Sequence, residues 1–150
     1  MDTESLLKSL NAHKVKYVII GATAFPVHGY VRATLDIDLF IEPEQENATR
    51  TLRALSHFGY DTSDITIEDL LQKKVLIRQY SVETDIHPFV SGMSFDEVWE
   101  NRIEGMYGGT RTYFADLNSL IKMKKAAGRP KDLEDLKYLE RLASQLTDGL

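Results

Sequence analysis

The chain of 150 residues contains no cysteine, which excludes disulfide bonds and thiolate metal sites. No apolar run reaches the ~18 residues that a membrane-spanning helix needs, and the polar start at residues 1–5 does not indicate a signal peptide. We therefore expect a cytoplasmic protein with no membrane partner. The sequence also lacks an excess of positive charge, and its formal net charge of −5 argues against broad, charge-driven binding of nucleic acid.

Strand-like and helical segments alternate along the chain, which favours an α/β or α+β fold with helices backing a mixed sheet. Residues 15–20 and 32–41 predict two strands. Residues 116–127 and 131–144 predict two C-terminal helices. The composition, 43% hydrophobic and 27% charged, is ordinary for a globular protein, so we expect a single domain over residues 1–150.

Two aspartates, Asp36 and Asp38, lie in the strongly apolar segment 35–41. In a strand, residues i and i+2 point to the same face, roughly 6.6 Å apart, so these carboxylates are neighbours, with Arg32 and Thr34 on the same face. Neighbouring carboxylates repel each other and lose hydration unless a cation neutralises them. The pattern favours a divalent metal ion, and the alternative is a solvated sheet face with a surface ion pair.

The first predicted strand ends in Gly21, Ala22 and Thr23, and a short helix is expected over residues 22–28. Backbone N–H groups at a helix N-terminus attract anions, and small side chains allow a phosphate to approach closely. This turn is therefore a candidate phosphate site. An ordinary connection between a strand and a helix is the alternative.

Alternation in residues 82–87 places Glu83, Asp85 and His87 on one face of a further strand. Asp85 is a candidate third carboxylate, with Glu83 next in line. Three acids from two neighbouring strands could hold two Mg²⁺ ions about 3.5–4 Å apart, an arrangement suited to phosphoryl transfer. Taken alone, an aspartate in a strand more often faces solvent, so this assignment depends on the pair Asp36 and Asp38.

Residues 122–131 contain cations and no anions, although the protein as a whole is acidic. Cations favour a helix C-terminus, and they would also suit a bound triphosphate. Both interpretations stay open at this point. The five cations are Lys122, Lys124, Lys125, Arg129 and Lys131.

Residues 21–24 (GATA) and 28–39 (HGYVRATLDIDL) together resemble the signature of the DNA polymerase β-like nucleotidyltransferase superfamily. Residues 120–136 (LIKMKKAAGRPKDLEDL) are similar to the second motif of its minimal, AbiEii-like members, which are often toxins of bacterial toxin–antitoxin pairs. The resemblance implies the nucleotidyltransferase fold, in which a mixed sheet backed by helices carries the site on its exposed face and C-terminal helices follow.

The resemblance also implies roles for individual residues. Asp36, Asp38 and Asp85 would be catalytic and would hold Mg²⁺, with two ions expected, and Asp85 would activate the attacking hydroxyl. The implied nucleotide-binding residues are Gly21, Ala22, Thr23, Arg32, Thr34, Lys124, Arg129 and Asp132. The family usually has Gly-Gly or Gly-Ser where this chain has Gly21-Ala22, so nucleotide affinity or donor choice could differ.

The implied activity is metal-dependent transfer of a nucleoside monophosphate from an NTP, such as ATP, to an acceptor hydroxyl. The acceptor could be RNA, a protein side chain or a small molecule, and a cognate antitoxin is a possible partner. The alternative is a non-catalytic domain of this type that binds a nucleotide or a partner protein. Intact Asp36, Asp38 and Asp85 favour the enzyme, and a pure interaction module would leave the acidic strand as surface decoration.

Overall fold

The computed structural model describes residues 2–28 and 36–148. The strands of this part are β1 (Tyr17–Ile20), β2 (Asp36–Ile41), β3 (Val75–Gln79), β4 (Val82–His87), β5 (Ile103–Tyr107) and β6 (Thr110–Phe114). The α-helices are α1 (Thr3–Ala12), α2 (Gln45–Phe58), α3 (Ile67–Gln72), α4 (Phe95–Glu100), α5 (Leu117–Ala127) and α6 (Pro130–Asp148). A 3-10 helix (Gly21–His28) follows β1 directly.

The strands form one six-stranded mixed sheet in the order β3-β4-β2-β1-β6-β5. At its centre, β2 pairs with β1 in the antiparallel direction and with β4 in the parallel direction. The hairpins β3–β4 and β5–β6 extend the sheet on either side. This is an α/β fold, and the expectation of a mixed sheet backed by helices is confirmed.

The two faces of the central strands carry different side chains. On β2, Ile37, Leu39 and Ile41 are buried and alternate with the aspartates. On the aspartate face, the ring of Phe40 packs edge-on against Phe95 of α4. The core therefore holds the apolar side of β2 firmly, and the register of the carboxylates is fixed with it.

Most predicted elements are present, and a few differ from the prediction in their bounds or type. The first strand begins at Tyr17 instead of residue 15, and α6 continues to Asp148 instead of ending at residue 144. The short helix is of the 3-10 type, with Pro26 inside it. Strand β5 was not predicted, because as an edge strand it alternates only between intermediate and exposed residues and contains Gly105. Residues 29–35 lie outside the described part.

None of the described helices is both long enough and apolar enough to cross a membrane.

Buried Asn47 on α2 ties this helix to two strands. Its Oδ1 accepts a hydrogen bond from the backbone N–H of Lys16 at 2.8 Å. Its Nδ2 donates to the carbonyl oxygens of Lys16 and Glu42, both at 3.0 Å. One side chain thus satisfies backbone groups just before β1 and just after β2, which aligns these strands.

We expect Asn47→Ala to lower the free energy of unfolding by about 2 kcal/mol, because part-buried backbone groups of Lys16 and Glu42 lose their hydrogen bonds to this side chain. Urea denaturation measures this loss. Asn118→Ala is the control, since Asn118 is exposed on α5, and it should change stability by less than about 0.5 kcal/mol. Equal effects of the two substitutions would contradict the role given to Asn47.

Candidate active site

The parallel pairing of β2 with β4 brings the predicted carboxylates together. Asp36 lies opposite Glu83, and Asp38 lies opposite Asp85. Registered partners in a sheet share a face, so the acids form one cluster. The side chain of Asp85 is 7% exposed, against 26% for Asp38 and 34% for Asp36. Asp85 is therefore the inner member of the cluster, and the two aspartates of β2 are partly exposed.

Sequence reasoning missed Arg78, which lies opposite Glu83 on β3. Its Nη1 donates to Asp85 Oδ1 at 2.6 Å. Other nitrogens of the same guanidinium lie 3.9 Å from Asp36 Oδ2 and 3.8 Å from Glu83 Oε2. The hydrogen bond to Asp85 raises the pKa of Arg78, and the charges of all three carboxylates act in the same direction.

Two other groups share the Asp85 end of the cluster. Lys74 Nζ lies 3.8 Å from Asp85 Oδ2, whereas Arg78 binds Oδ1 of the same carboxylate. A hydrogen bond with Asp36 raises the pKa of Glu83 above its ordinary value, because protonated Glu83 can donate to that carboxylate. The cluster therefore concentrates negative charge, which the side chains of Arg78 and Lys74 partly offset.

Asp38 has different neighbours on its two sides. His87 Nε2 lies 2.8 Å from Asp38 Oδ1, a distance at which Nε2–H donates to the carboxylate. Gly21, with a φ of +73°, lies on the other side, and a Cβ atom added there would come within 2.6 Å of Asp38 Oδ2. The turn predicted to bind phosphate thus touches the acid cluster, and only glycine allows this approach.

The other predicted residues near this turn are described only in part. Ala22 and Thr23 belong to the 3-10 helix that Gly21 begins, and only their backbone is described. Arg32 and Thr34 lie outside the described residues. Their roles as nucleotide-binding residues stay predictions.

The cations of the C-terminal motif meet carboxylates of α6. Lys124 is 13% exposed, and its Nζ lies 3.1 Å from Asp132 Oδ1 and 3.4 Å from Asp135 Oδ2. Arg129 Nε donates to Asp132 Oδ2 at 2.6 Å, while 69% of the Arg129 side chain stays exposed. Lys125 pairs with Glu140. The segment without anions in sequence is therefore partly neutralised by the next helix.

Asp132 is completely buried at the centre of this network. Burial alone would raise its pKa, but hydrogen bonds from Arg129 and Lys124, together with their positive charges, outweigh it and lower the pKa to about 2. Asp132 therefore holds the two cations in place.

A cavity of about 410 Å³ joins the two halves of the site. Phe89, Val90, Leu120 and Met123 form an apolar wall, and Ser91 and His87 add polar groups. Asp36 and Asp85 do not line this cavity. The predicted residues that do line it are Gly21, Asp38, Lys124, Arg129 and Asp132.

The cluster fits Mg²⁺ by its chemistry, since carboxylate oxygens are the ligands that this ion prefers. The side chains do not converge on a common point, however: within residues 2–28 and 36–148, no group of three or more histidine, aspartate or glutamate residues is arranged to hold a metal ion. Arg78 holds the inner carboxylate instead. Asp36 and Asp38, the more exposed pair, are the residues that could hold a metal.

The chain matches, over residues 2–146, the model of a family described as "Nucleotidyltransferase of unknown function (DUF6036)". No curated protein matches the chain.

We expect Gly21→Ala to lower the free energy of unfolding more than Gly128→Ala does. Both glycines have a positive φ, so each substitution costs about 1–2 kcal/mol of backbone strain. At Gly128 the added Cβ meets nothing closer than 3.8 Å, whereas at Gly21 it clashes with the Asp38 carboxylate. Urea denaturation of the two variants measures the difference, and equal losses would contradict the tight contact with Asp38.

The low pKa of Asp132 predicts a dependence of stability on pH. The ionised carboxylate contributes about 2 kcal/mol, which is fully present above about pH 4 and is lost as the pH falls towards 2. Asp132→Asn removes this contribution. The stability difference between wild type and variant should therefore narrow between about pH 4 and pH 2, as measured by urea denaturation. A constant difference over this range would contradict the assignment.

Proposed function

The chain belongs to this family of nucleotidyltransferases of unknown function, and we propose that it transfers a nucleoside monophosphate from an NTP to an acceptor hydroxyl. The observation that carries the proposal is the cavity, which gathers Gly21, Asp38, Lys124 and Arg129. Cations, a close-approach glycine and a carboxylate around one space suit a nucleotide carrying several phosphates.

The C-terminal cations are proposed to receive the phosphates. Arg129 keeps most of its side chain exposed at the cavity, so its guanidinium can bind a phosphate while Asp132 anchors it. Lys124 is held more tightly by Asp132 and Asp135 and would act as a fixed positive charge. The predicted role of Asp132 in nucleotide binding is thereby indirect, through these two cations.

Mg²⁺ is proposed to be held by Asp36 and Asp38, which are neighbours on one face of β2 and partly exposed. When bound, the ion neutralises phosphate charge and orients the reacting groups. His87 and Gly21 fix the position of Asp38 on the opposite sides of its carboxylate. Part of the catalytic effect is therefore positioning that the chain provides by itself.

In the proposed reaction, the acceptor oxygen forms a bond to the α-phosphorus, and the bond from that phosphorus to the bridging oxygen breaks, releasing pyrophosphate. The acceptor hydroxyl gives its proton to Asp85. Arg78 occupies Oδ1 of this carboxylate, so Oδ2 is the oxygen proposed to take the proton. Lys74 Nζ lies 3.8 Å from Oδ2.

The acceptor classes proposed from the sequence are an RNA end, a protein side chain or a small molecule. The net charge of −5 favours a compact acceptor over a long RNA. A role as the toxin of a toxin–antitoxin pair, with an antitoxin as partner, is part of the same proposal. A cytoplasmic setting, expected from the sequence, would supply both NTP and Mg²⁺.

One observation favours a second candidate function, a non-catalytic domain that binds a nucleotide. Arg78 and Lys74 already contact Asp85, so the inner carboxylate has protein partners where a fully open metal site would have none. Such a domain would bind Mg²⁺–NTP in the cavity without turnover.

We expect Asp36→Asn and Asp38→Asn each to lower transfer roughly 100-fold or more, because each removes a charge needed to hold the ion. Folding stability should change little, since removing one of two like charges relieves repulsion. The assay follows labelled nucleotide from each NTP into pools of RNA, protein and small molecules.

Asp64→Asn is the matched control, because Asp64 is an exposed aspartate outside the cluster. If both Asn variants of β2 keep full transfer, the assignment of these carboxylates is wrong. A wild-type protein that binds Mg²⁺–NTP but labels no acceptor pool would support the non-catalytic domain.

A further inference from the structure

The guanidinium of Arg78 lies among three carboxylates of the acid cluster. One planar group makes a 2.6 Å hydrogen bond to Asp85 and lies within 4 Å of both Asp36 and Glu83. A guanidinium offers several N–H donors in one plane, which suits oxygens arranged around it. Arg78 therefore bridges β3, β4 and β2 across the acid face.

The charges of the cluster leave room for one divalent ion. Four carboxylates share the face, and two protein cations, Arg78 and Lys74, lie within 4 Å of them. The remaining charge is about two negative units, which equals the charge of a single Mg²⁺. Without a ligand, the cluster can therefore be neutralised by one Mg²⁺. The four carboxylates are Asp36, Asp38, Glu83 and Asp85.

The exposed fractions of the side chains also distinguish Asp85 from the two aspartates of β2. Asp85 is 7% exposed and already has a cation near each oxygen. Asp38 lines the cavity, and Asp36 is the most exposed of the three aspartates. A hydrated ion arriving from solvent thus reaches the β2 aspartates first.

The position of Arg78 is built into the fold. It pairs with Glu83 in the hairpin β3–β4, whose strands are separated only by Tyr80 and Ser81. A short hairpin fixes the register of its two strands, so the backbone of Arg78 cannot slide away from Asp85.

We infer that Arg78 is a built-in counterion that takes the place of a second metal ion at Asp85, so that the acid cluster binds one divalent ion, at Asp36 and Asp38. This inference rests on the proposed function and changes the two-ion expectation drawn from the sequence. Arg78 is then a positioning residue: it fixes Asp85 through Oδ1 and leaves Oδ2 towards the acceptor. Its charge is present at any metal concentration.

The test counts Mn²⁺ ions bound per chain, by electron paramagnetic resonance, in the presence of saturating non-hydrolysable ATP analogue. We expect one Mn²⁺ for wild type and two for Arg78→Gln, because the substitution frees the inner carboxylate. Arg50→Gln is the matched control and should bind one, since Arg50 pairs with Glu46 on α2, outside the cluster. Two ions in wild type, or one in Arg78→Gln, would overturn the inference.

Asp85→Asn provides a second variant of nearly unchanged shape, which keeps the test decisive if Arg78→Gln does not fold. We expect it still to bind one Mn²⁺, because the ion lies at the β2 aspartates. A loss of that ion would show that Asp85 is a ligand in the wild-type protein and would overturn the inference.

Thermal unfolding gives an independent readout. In EDTA, Arg78→Gln should melt at a lower temperature than wild type, because the inner carboxylates lose their counterion. Saturating Mn²⁺ should raise the melting temperature of this variant more than that of wild type or Arg50→Gln. Equal Mn²⁺-dependent shifts in the three proteins would contradict the role of Arg78.

The outcomes also separate this inference from the function on which it rests. A wild-type protein that binds the analogue with two Mn²⁺ ions overturns the inference and leaves the proposed function intact. A wild-type protein that binds neither the analogue nor Mn²⁺ contradicts both.

Discussion

The site depends on one constraint, the parallel pairing of β2 with β4 in a register that places Asp38 beside Asp85. The buried side of β2 fixes this register. The register in turn places the carboxylates of both strands together on the other face. Uncompensated charges in such a place are costly, so the surrounding structure supplies partners. Arg78, Lys74 and His87 all contact the cluster for this reason.

The same principle shapes the opposite wall of the cavity. Asp132 and Asp135 are buried at the start of α6, where Lys124 and Arg129 neutralise them. Removing one partner from a buried ion pair is strongly destabilising. Because Lys124 on α5 pairs with Asp132 and Asp135 on α6, the geometry of this wall depends on the packing of the two helices. The cavity thus lies between two charged clusters, of which the first is anionic and the second presents exposed Arg129.

Local pattern was enough to predict the aspartates of β2, the face of Asp85 and the two C-terminal helices, because a period of two and helix-ending residues are local signals. Contacts between distant segments were not predictable in this way. Arg78 reaches Asp85 only through the hairpin register, and Lys124 meets Asp132 only after α6 packs on α5. In both pairs, the two charged residues lie on different elements, so the local pattern around either residue does not indicate the contact.

We propose that this chain binds a metal–nucleotide complex at the aspartates of β2, with the phosphates towards Arg129. A crystal structure with Mn²⁺ and a non-hydrolysable NTP analogue, using the anomalous signal of manganese, tests it most directly. We expect an anomalous peak in contact with Asp36 and Asp38, triphosphate density in the cavity, and Arg78 still bound to Asp85. Manganese and nucleotide located away from these aspartates, or an empty cavity at saturating concentrations, would contradict it.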